Sequence, residues 1–410
     1  MPHWIKLWRD WVGREILWPF QRPQVPQPHG VAFSYEKAGI TVRDEPIPWN
    51  AETVQLEALI RFPAQVVRRR TDFQLNLMDS NSVPATSLHR AQGEEYRLGF
   101  RMPAVAQSSI VELTWRGQPL AQFLLPVLTP TQFIDAFQVK VPTVSVRLGE
   151  AITVACKAFV YNQCKGLIAG AVLSSATSLI PLLDMDIAVE FVDLRSGMTQ
   201  KVPVRLAASQ LTQRETLVTV VAPRRPRRLG EWAVQWRLAG RVLARQEIRI
   251  LGQKALRKVV IVGEPRYIRQ DRRGEVQVTK QLPKLGEGDR LGPCYLLSSR
   301  IPGLAAMVPF KVQIQTRGGF QFPLTQEEVL ITDGPLPYVP GTVSAGDLEQ
   351  ILAFTLHSKG EVLGFLSSTP APVARFTSEG SYQAPADDFL WTTAAEEELT
   401  NRLGKLAELS

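Results

Sequence analysis

Apolar and polar residues alternate along most of this chain at the two-residue period of a half-buried strand, in short runs broken by glycine and proline. Val54, Leu56, Ala58, Ile60 and Phe62 alternate with Thr53, Gln55, Glu57 and Arg61, which places one face in a core and the other in water. Phe73, Leu75 and Leu77 repeat the pattern, as do Val111, Leu113 and Trp115. Residues 152–160 read as an early strand of a later unit, and Val202, Val204 and Leu206 as a middle one. Trp232, Val234, Trp236 and Leu238 give the clearest alternation of all. Residues 259–262, 276–278 and 312–314 are shorter strand candidates, and 281–309 is expected to be irregular.

Two stretches carry the helical period instead. Trp4, Ile5, Leu7, Trp8, Trp11, Val12, Ile16 and Trp18 share one half of a helical wheel, opposite Lys6, Arg9, Asp10 and Arg14. Glu15 intrudes on the apolar face and Leu17 on the polar one. Pro19 ends this helix, and residues 22–28 read as an extended linker. Near the other end Thr393 and Glu396 have capping-box spacing, and Leu399, Leu403 and Leu406 form the stripe of a short C-terminal helix.

A hairpin signature recurs about every 120 residues: Gly117-Gln-Pro-Leu120-Ala121, Gly240-Arg-Val-Leu243-Ala244 and Gly360-Glu-Val-Leu363-Gly364. Trp115-Arg116 and Trp236-Arg237 precede the first two copies, while Lys359 supplies the basic residue of the third. The string from Gly230 to Ala244 resembles the last hairpin of bacterial immunoglobulin-like and fibronectin-type sandwiches. The resemblance covers some twenty residues in each of two units and specifies a fold without catalytic residues. With the repeat and the two helical stretches, the expected fold is an all-β chain of three tandem immunoglobulin-like β-sandwiches with an N-terminal amphipathic helix and a short C-terminal helix. The expected divisions are 1–20 (Trp-rich helix), 21–29 (linker), 30–128, 129–252, 253–368 (a divergent third sandwich) and 369–410 (tail). The inter-sheet cysteine pair of antibody domains is missing, since no cysteine lies near Trp232 to join Cys156.

Length and composition agree. A chain of 410 residues exceeds one ordinary core and fits about three domains of 100–150 residues. With 45% hydrophobic and 21% charged residues it is a folded protein. Cys156, Cys164 and Cys294 are too few for a secreted disulfide scaffold, so buried thiols are expected, with a Cys156–Cys164 bridge as the lesser reading. The uncharged run 166–183 reaches the lower length limit of a membrane helix, but Gly166, Gly170 and Pro181 favour strand, loop and strand. Residues 1–20 lack the continuous apolar core of a secretory signal. The expected location is therefore cytoplasmic, with membrane association as a variant.

Candidate chemistry is sparse. His3, His29, His89 and His357 occupy four separate contexts, none at a metal-ligand spacing, and no cofactor or metal is expected. Asp184 and Asp186 have the acidic spacing of metal-dependent carbohydrate- or nucleotide-active enzymes, without the accompanying βαβ pattern. The glycines of 286–292 lack phosphate-loop spacing and read as a mobile surface loop. The clusters 68–70, 266–273 and Arg224, Arg225, Arg227, Arg228 read first as solvated loops that limit edge-to-edge aggregation, with an anionic partner, which a net charge of +8 also suits, as the lesser reading. No aromatics interleave with the arginines, which argues against nucleic acid.

The leading expectation is a non-enzymatic interaction or assembly protein that docks to a protein partner through Trp4, Trp8, Trp11 and Trp18. Folding of that helix back onto the first sandwich competes with it. The second functional reading is a peripheral membrane protein with the indoles in the interface and the arginine loops on anionic headgroups.

Overall fold

A computed structural model describes residues 25–62, 69–77, 82–104, 108–149, 152–226, 228–258, 260–359 and 361–367. The expected Trp helix, with Trp4, Trp8, Trp11 and Trp18, and the expected C-terminal helix lie outside the described residues, as does Arg227. The protein is mostly β, as the alternating pattern implies, and among the described residues α-helix is confined to Pro130–Ala136 and Ala208–Leu211. No helix among them is long and apolar enough to cross a membrane.

In the first unit, Ile40–Arg43, Gln27–Lys37, Thr53–Arg61, Glu95–Pro103 and Ser87–Gln92 lie side by side in that order. A second sheet runs Gln118–Leu125, Ser109–Trp115, Phe73–Leu77 and Val83–Pro84. Their inward residues share one core, in which Val54, Leu56, Ile60, Phe62, Phe73, Leu75, Val111 and Leu113 are fully buried. Phe62 meets Phe73 and Tyr96 edge-on at 5.8 and 5.1 Å between ring centroids, the orientation the ring quadrupoles favour.

The second unit begins with a helix packed into its core. Thr129 and Gln132 close a capping box on Pro130–Ala136, and Phe133 sits 6.1 Å from Trp49 of the first unit. One sheet runs Ile152–Ala155, Gln138–Leu148, Cys164–Ser174 and Glu215–Val221. The other begins Thr199–Pro203, Ile187–Asp193, Gly230–Leu238 and Arg241–Leu251, with Trp232 and Trp236 turned into the core. This second sheet does not stop there. The short strand Ala158–Val160 pairs in parallel with Arg241–Leu251 on one side and with Leu304–Thr316 on the other. One nine-stranded sheet therefore runs through the second and third units.

Beyond that bridge, Leu304–Thr316 pairs with Gln321–Ile331 and Ile351–Ser358, and Ile351–Ser358 with Glu361–Ser367. A separate sheet is organised around Arg290–Ser299. The region expected to be irregular thus contains Arg290–Ser299 whole and the start of Leu304–Thr316. Nine of the ten residues of Arg290–Ser299 are buried, so the strand is covered on both faces and shows no alternation. The uncharged run 166–183 is likewise no spanning helix: most of it is the strand Cys164–Ser174 and the 3-10 turn Ile180–Asp184.

The repeated signature has one structural meaning in all three places. Arg116 and Gly117, then Ala239 and Gly240, have positive φ, as does Lys359 in the third copy. These are the two-residue turns whose twist matches a right-handed hairpin. Soon after each turn the register slips by one residue, and the residue skipped is Leu120, Leu243 or Leu363. Each is a bulge that re-aims the leucine, and each leucine packs on the core of its own unit. In the third copy a Cβ on Gly364 would lie 3.1 Å from the buried Tyr295 ring, a close contact that the ring would have to yield to by a few tenths of an ångström.

Candidate interaction site

The junction between the first two units is built from buried polar groups. Ser178 is fully buried; its N–H donates to Glu45 Oε2 at 2.7 Å and its hydroxyl shares a 2.8 Å hydrogen bond with Tyr35. Burial is the main cause that pushes the Tyr35 phenol up to about 12, so it stays protonated. Arg214 Nε reaches Glu45 Oε1 at 2.9 Å, and Asn50 donates to the Pro181 carbonyl. Ile180 and Leu211, from the second unit, insert into the core of the first.

Asp184 and Asp186 are pulled apart by this arrangement. Asp184 ends the turn Ile180–Asp184 and pairs with Lys37 of the first unit at 2.8 Å. Asp186 pairs with Lys201 of the neighbouring strand. The two carboxylates serve two different lysines and do not converge.

The described histidines are equally dispersed, and His3 lies outside the described residues. His29 pairs with Glu95, His89 lies exposed in the strand Ser87–Gln92, and His357 bonds to Thr355. Partial burial, then the nearby Lys311 ammonium, hold the His357 pKa below its ordinary value. Cys156, Cys164 and Cys294 are free thiols, and burial pushes Cys156 and Cys294 up to about 12. At neutral pH they are poor nucleophiles.

The segment 286–292 is a surface loop at Gly286, Glu287 and Gly288, which are exposed, but it closes around a buried carboxylate. Asp289 is buried, and its carboxylate accepts hydrogen bonds from Gly286 N–H and Arg269 Nε, both at 2.7 Å. Gly288 adopts φ +86°, where a side chain would be strained and would strike Arg272. The Gly286 amide and then Arg269 hold the Asp289 carboxyl below the usual carboxylate range, against the opposing effect of burial. Such a group stabilises the fold fully above the unfolded carboxyl value of about 4 and loses that contribution as pH falls through its depressed value. Thermal melts should therefore lose stability below about pH 4, and Asp289→Asn should flatten that acid limb. Beside this knot lies an open depression of about 510 Å³ lined by Arg269, Lys280 and Lys284. Asp289 already engages Arg269 and Glu264 engages Lys280, which leaves little charge for an outside anion.

The second arginine cluster is different. Arg224, Arg225 and Arg228 are all exposed, in the loop between Glu215–Val221 and Gly230–Leu238. The Trp232 indole N–H donates to the Arg228 carbonyl at 3.2 Å, which fixes the loop at one point. Arg228 contributes to the lowered pKa of Asp193, but that carboxylate is held first by the Ser196 hydroxyl at 2.6 Å. Among the described residues none of the three arginines forms an ion pair.

These features define a mostly β protein with several hydrophobic cores, in which buried polar groups join one core to the next. No family model matches the chain, and no curated protein matches it. Among solved structures it is similar to InvD of Yersinia pseudotuberculosis at 11% identity, covering 79% of this chain and 95% of that one, with a TM-score of 0.22. It is also similar to domains 6–7 of the surface layer protein SbsC at 12% identity, covering 49% of this chain and 88% of that one, with a TM-score of 0.23. For latent dimeric PorU of Porphyromonas gingivalis the values are 9% identity, 84% and 33% coverage, and a TM-score of 0.19.

Proposed function

We propose that this chain is a non-catalytic interaction or assembly component of three tandem immunoglobulin-like sandwiches. They carry an N-terminal docking segment whose anchors are Trp4, Trp8, Trp11 and Trp18. The observation that supports this reading is how the units are joined. Buried contacts at Ser178 and a shared sheet through Ala158–Val160 replace flexible linkers, as suits a frame that holds binding surfaces at fixed separations. Clustered indoles are the side chains that dominate interface energetics, which assigns the docking role to the N-terminal segment.

The test compares the full chain with a Trp4→Ala, Trp8→Ala, Trp11→Ala variant. A stoichiometric protein partner should be retained by the full chain and lost by the variant, with the thermal transition unchanged. A lowered transition in the variant would mean that the helix folds back on the first unit. Flotation of the full chain with phosphatidylserine vesicles, weakened by salt, would replace protein docking with the membrane-surface reading.

A further inference from the structure

The strand Glu215–Val221 ends its sheet, and its outer side is unpaired among the described residues. Ala222 N–H donates to the Leu167 carbonyl and the Arg214 carbonyl accepts from Ser175 N–H, so the even-numbered residues face the neighbouring strand. The register from Val221 to Glu215 runs without a slip, which turns the N–H and C=O of Leu217, Thr219 and Val221 outward. Among the described residues only the Leu217 carbonyl is covered, by Gln210 Nε2 at 3.5 Å. The same residues carry the solvent-facing side chains, with Leu217 67% and Val221 51% exposed.

Edges of this kind are normally blunted by proline, lysine, bulges or charge. Three other edges here follow that rule, whereas the four-residue edges Ile152–Ala155 and Val276–Thr279 are blunted only by being short. Gln321–Ile331 has Pro323, a register slip and exposed Glu327 and Glu328; Thr199–Pro203 has Lys201 and Pro203; Gln118–Leu125 has Pro119 and the Leu120 bulge. Glu215–Val221 has no proline, no lysine and no bulge, and its one charge, Glu215, is engaged by Lys140 at 2.9 Å. Where this bare edge ends, the exposed Arg224, Arg225 and Arg228 begin.

We propose that the edge Leu217–Thr219–Val221 and the arginine loop beyond it form a binding site for an extended, acidic peptide segment, which adds a strand to the sheet. The segment's main chain pairs with Thr219 and Val221, alternate β-branched residues lie on Leu217 and Val221, and its carboxylates reach the arginines. Antiparallel addition places those carboxylates at the peptide's N-terminal end. The proposal does not depend on the role of the N-terminal tryptophans.

The probe is an acetylated, amidated peptide of three glutamates followed by alternating valine and threonine, added to the full chain. Amide hydrogen exchange at Thr219 and Val221 is expected to slow when the peptide is present. Arg224→Glu with Arg225→Glu should weaken binding about tenfold or more, and Leu217→Lys with Val221→Lys should abolish it. Both pairs are exposed, so the thermal transition should not move. Unchanged exchange at Thr219 and Val221 under saturating peptide overturns the proposal. Equal binding of a control with valines replaced by prolines overturns it too, since attraction would then be charge alone. A dimer that Leu217→Lys converts to monomer would make a second copy the occupant instead. Vesicle binding lost in the arginine variant, without peptide protection, would make it a lipid surface.

Discussion

Replacing Phe159 with alanine is expected to cost about 3–5 kcal/mol and to loosen two units at once. Phe159 is fully buried in the second unit's core, whereas its neighbours Ala158 and Val160 belong to the core of the third. Its strand is only three residues long, yet it pairs on both sides, with Ile250 and with Ala305. So short a strand is held by its flanks and its one large side chain, with almost no ladder of its own. Gln163, just beyond it, also clamps both polar groups of the Met307 backbone with its side-chain amide. Removing the ring leaves a cavity at the seam, and the parallel pairs on either side lose their common support. Hydrogen exchange along a denaturant titration would show it. Amides of Gly230–Leu238 and Leu304–Thr316 should lose protection together in Phe159→Ala. Loss in Leu304–Thr316 alone would mean that the shared sheet does not couple the units.

The sequence showed half of this seam. Residues 152–160 read as one early strand because their apolar positions recur, but the structure divides them into Ile152–Ala155 and Ala158–Val160, in different sheets. Lys157 marks the crossing: its N–H donates to the Gly303 carbonyl and its own carbonyl accepts from Arg249. Those are backbone bonds, and backbone bonds leave no trace in side-chain pattern. The hairpins were legible for the opposite reason, since a positive-φ turn selects glycine and a bulge selects an inward leucine at a fixed offset. Arg290–Ser299 was hidden because a strand buried on both faces has no polar alternation. At Gly286–Asp289 the exposed loop was legible and the buried Asp289 was not, because its partners Gly286 N–H and Arg269 are brought to it by the fold.

Among candidate residues the same division holds. Arg224, Arg225 and Arg228 were found as a charge cluster, and the cluster is exposed and without ion pairs among the described residues. What sequence could not supply was the neighbour that gives them meaning. Glu215–Val221 alternates like any half-buried strand, and whether its outer edge is paired is decided by topology. Asp184 and Asp186 show the converse: spacing that suggests one site is taken apart by Lys37, which comes from another unit.

Among the polar groups at the junction of the first two units, Glu45→Ala should be the most damaging single change, at about 1–3 kcal/mol. Only 9% of the Glu45 side chain is exposed, and it accepts from the Ser178 amide, which has no other acceptor among the described residues. Alanine would leave that N–H buried and unpaired, and this loss sets the magnitude. The ion pair to Arg214 adds little, because the arginine is 59% exposed and its charge is well hydrated in either state. Glu45→Gln separates the two effects, since an amide oxygen can still accept from Ser178 while the charge is gone. Urea unfolding should therefore rank Glu45→Ala well below Glu45→Gln, with Glu45→Gln close to wild type. Tyr35→Phe removes the other bond to Ser178 and should cost about 1 kcal/mol. Tyr35 and Glu45 both contact Ser178, so the double variant should fall short of the sum of the singles. Equal losses in Glu45→Ala and Glu45→Gln would instead place the stabilisation in the carboxylate charge and its arginine. The buried amide would then be the minor contributor to how the units are held.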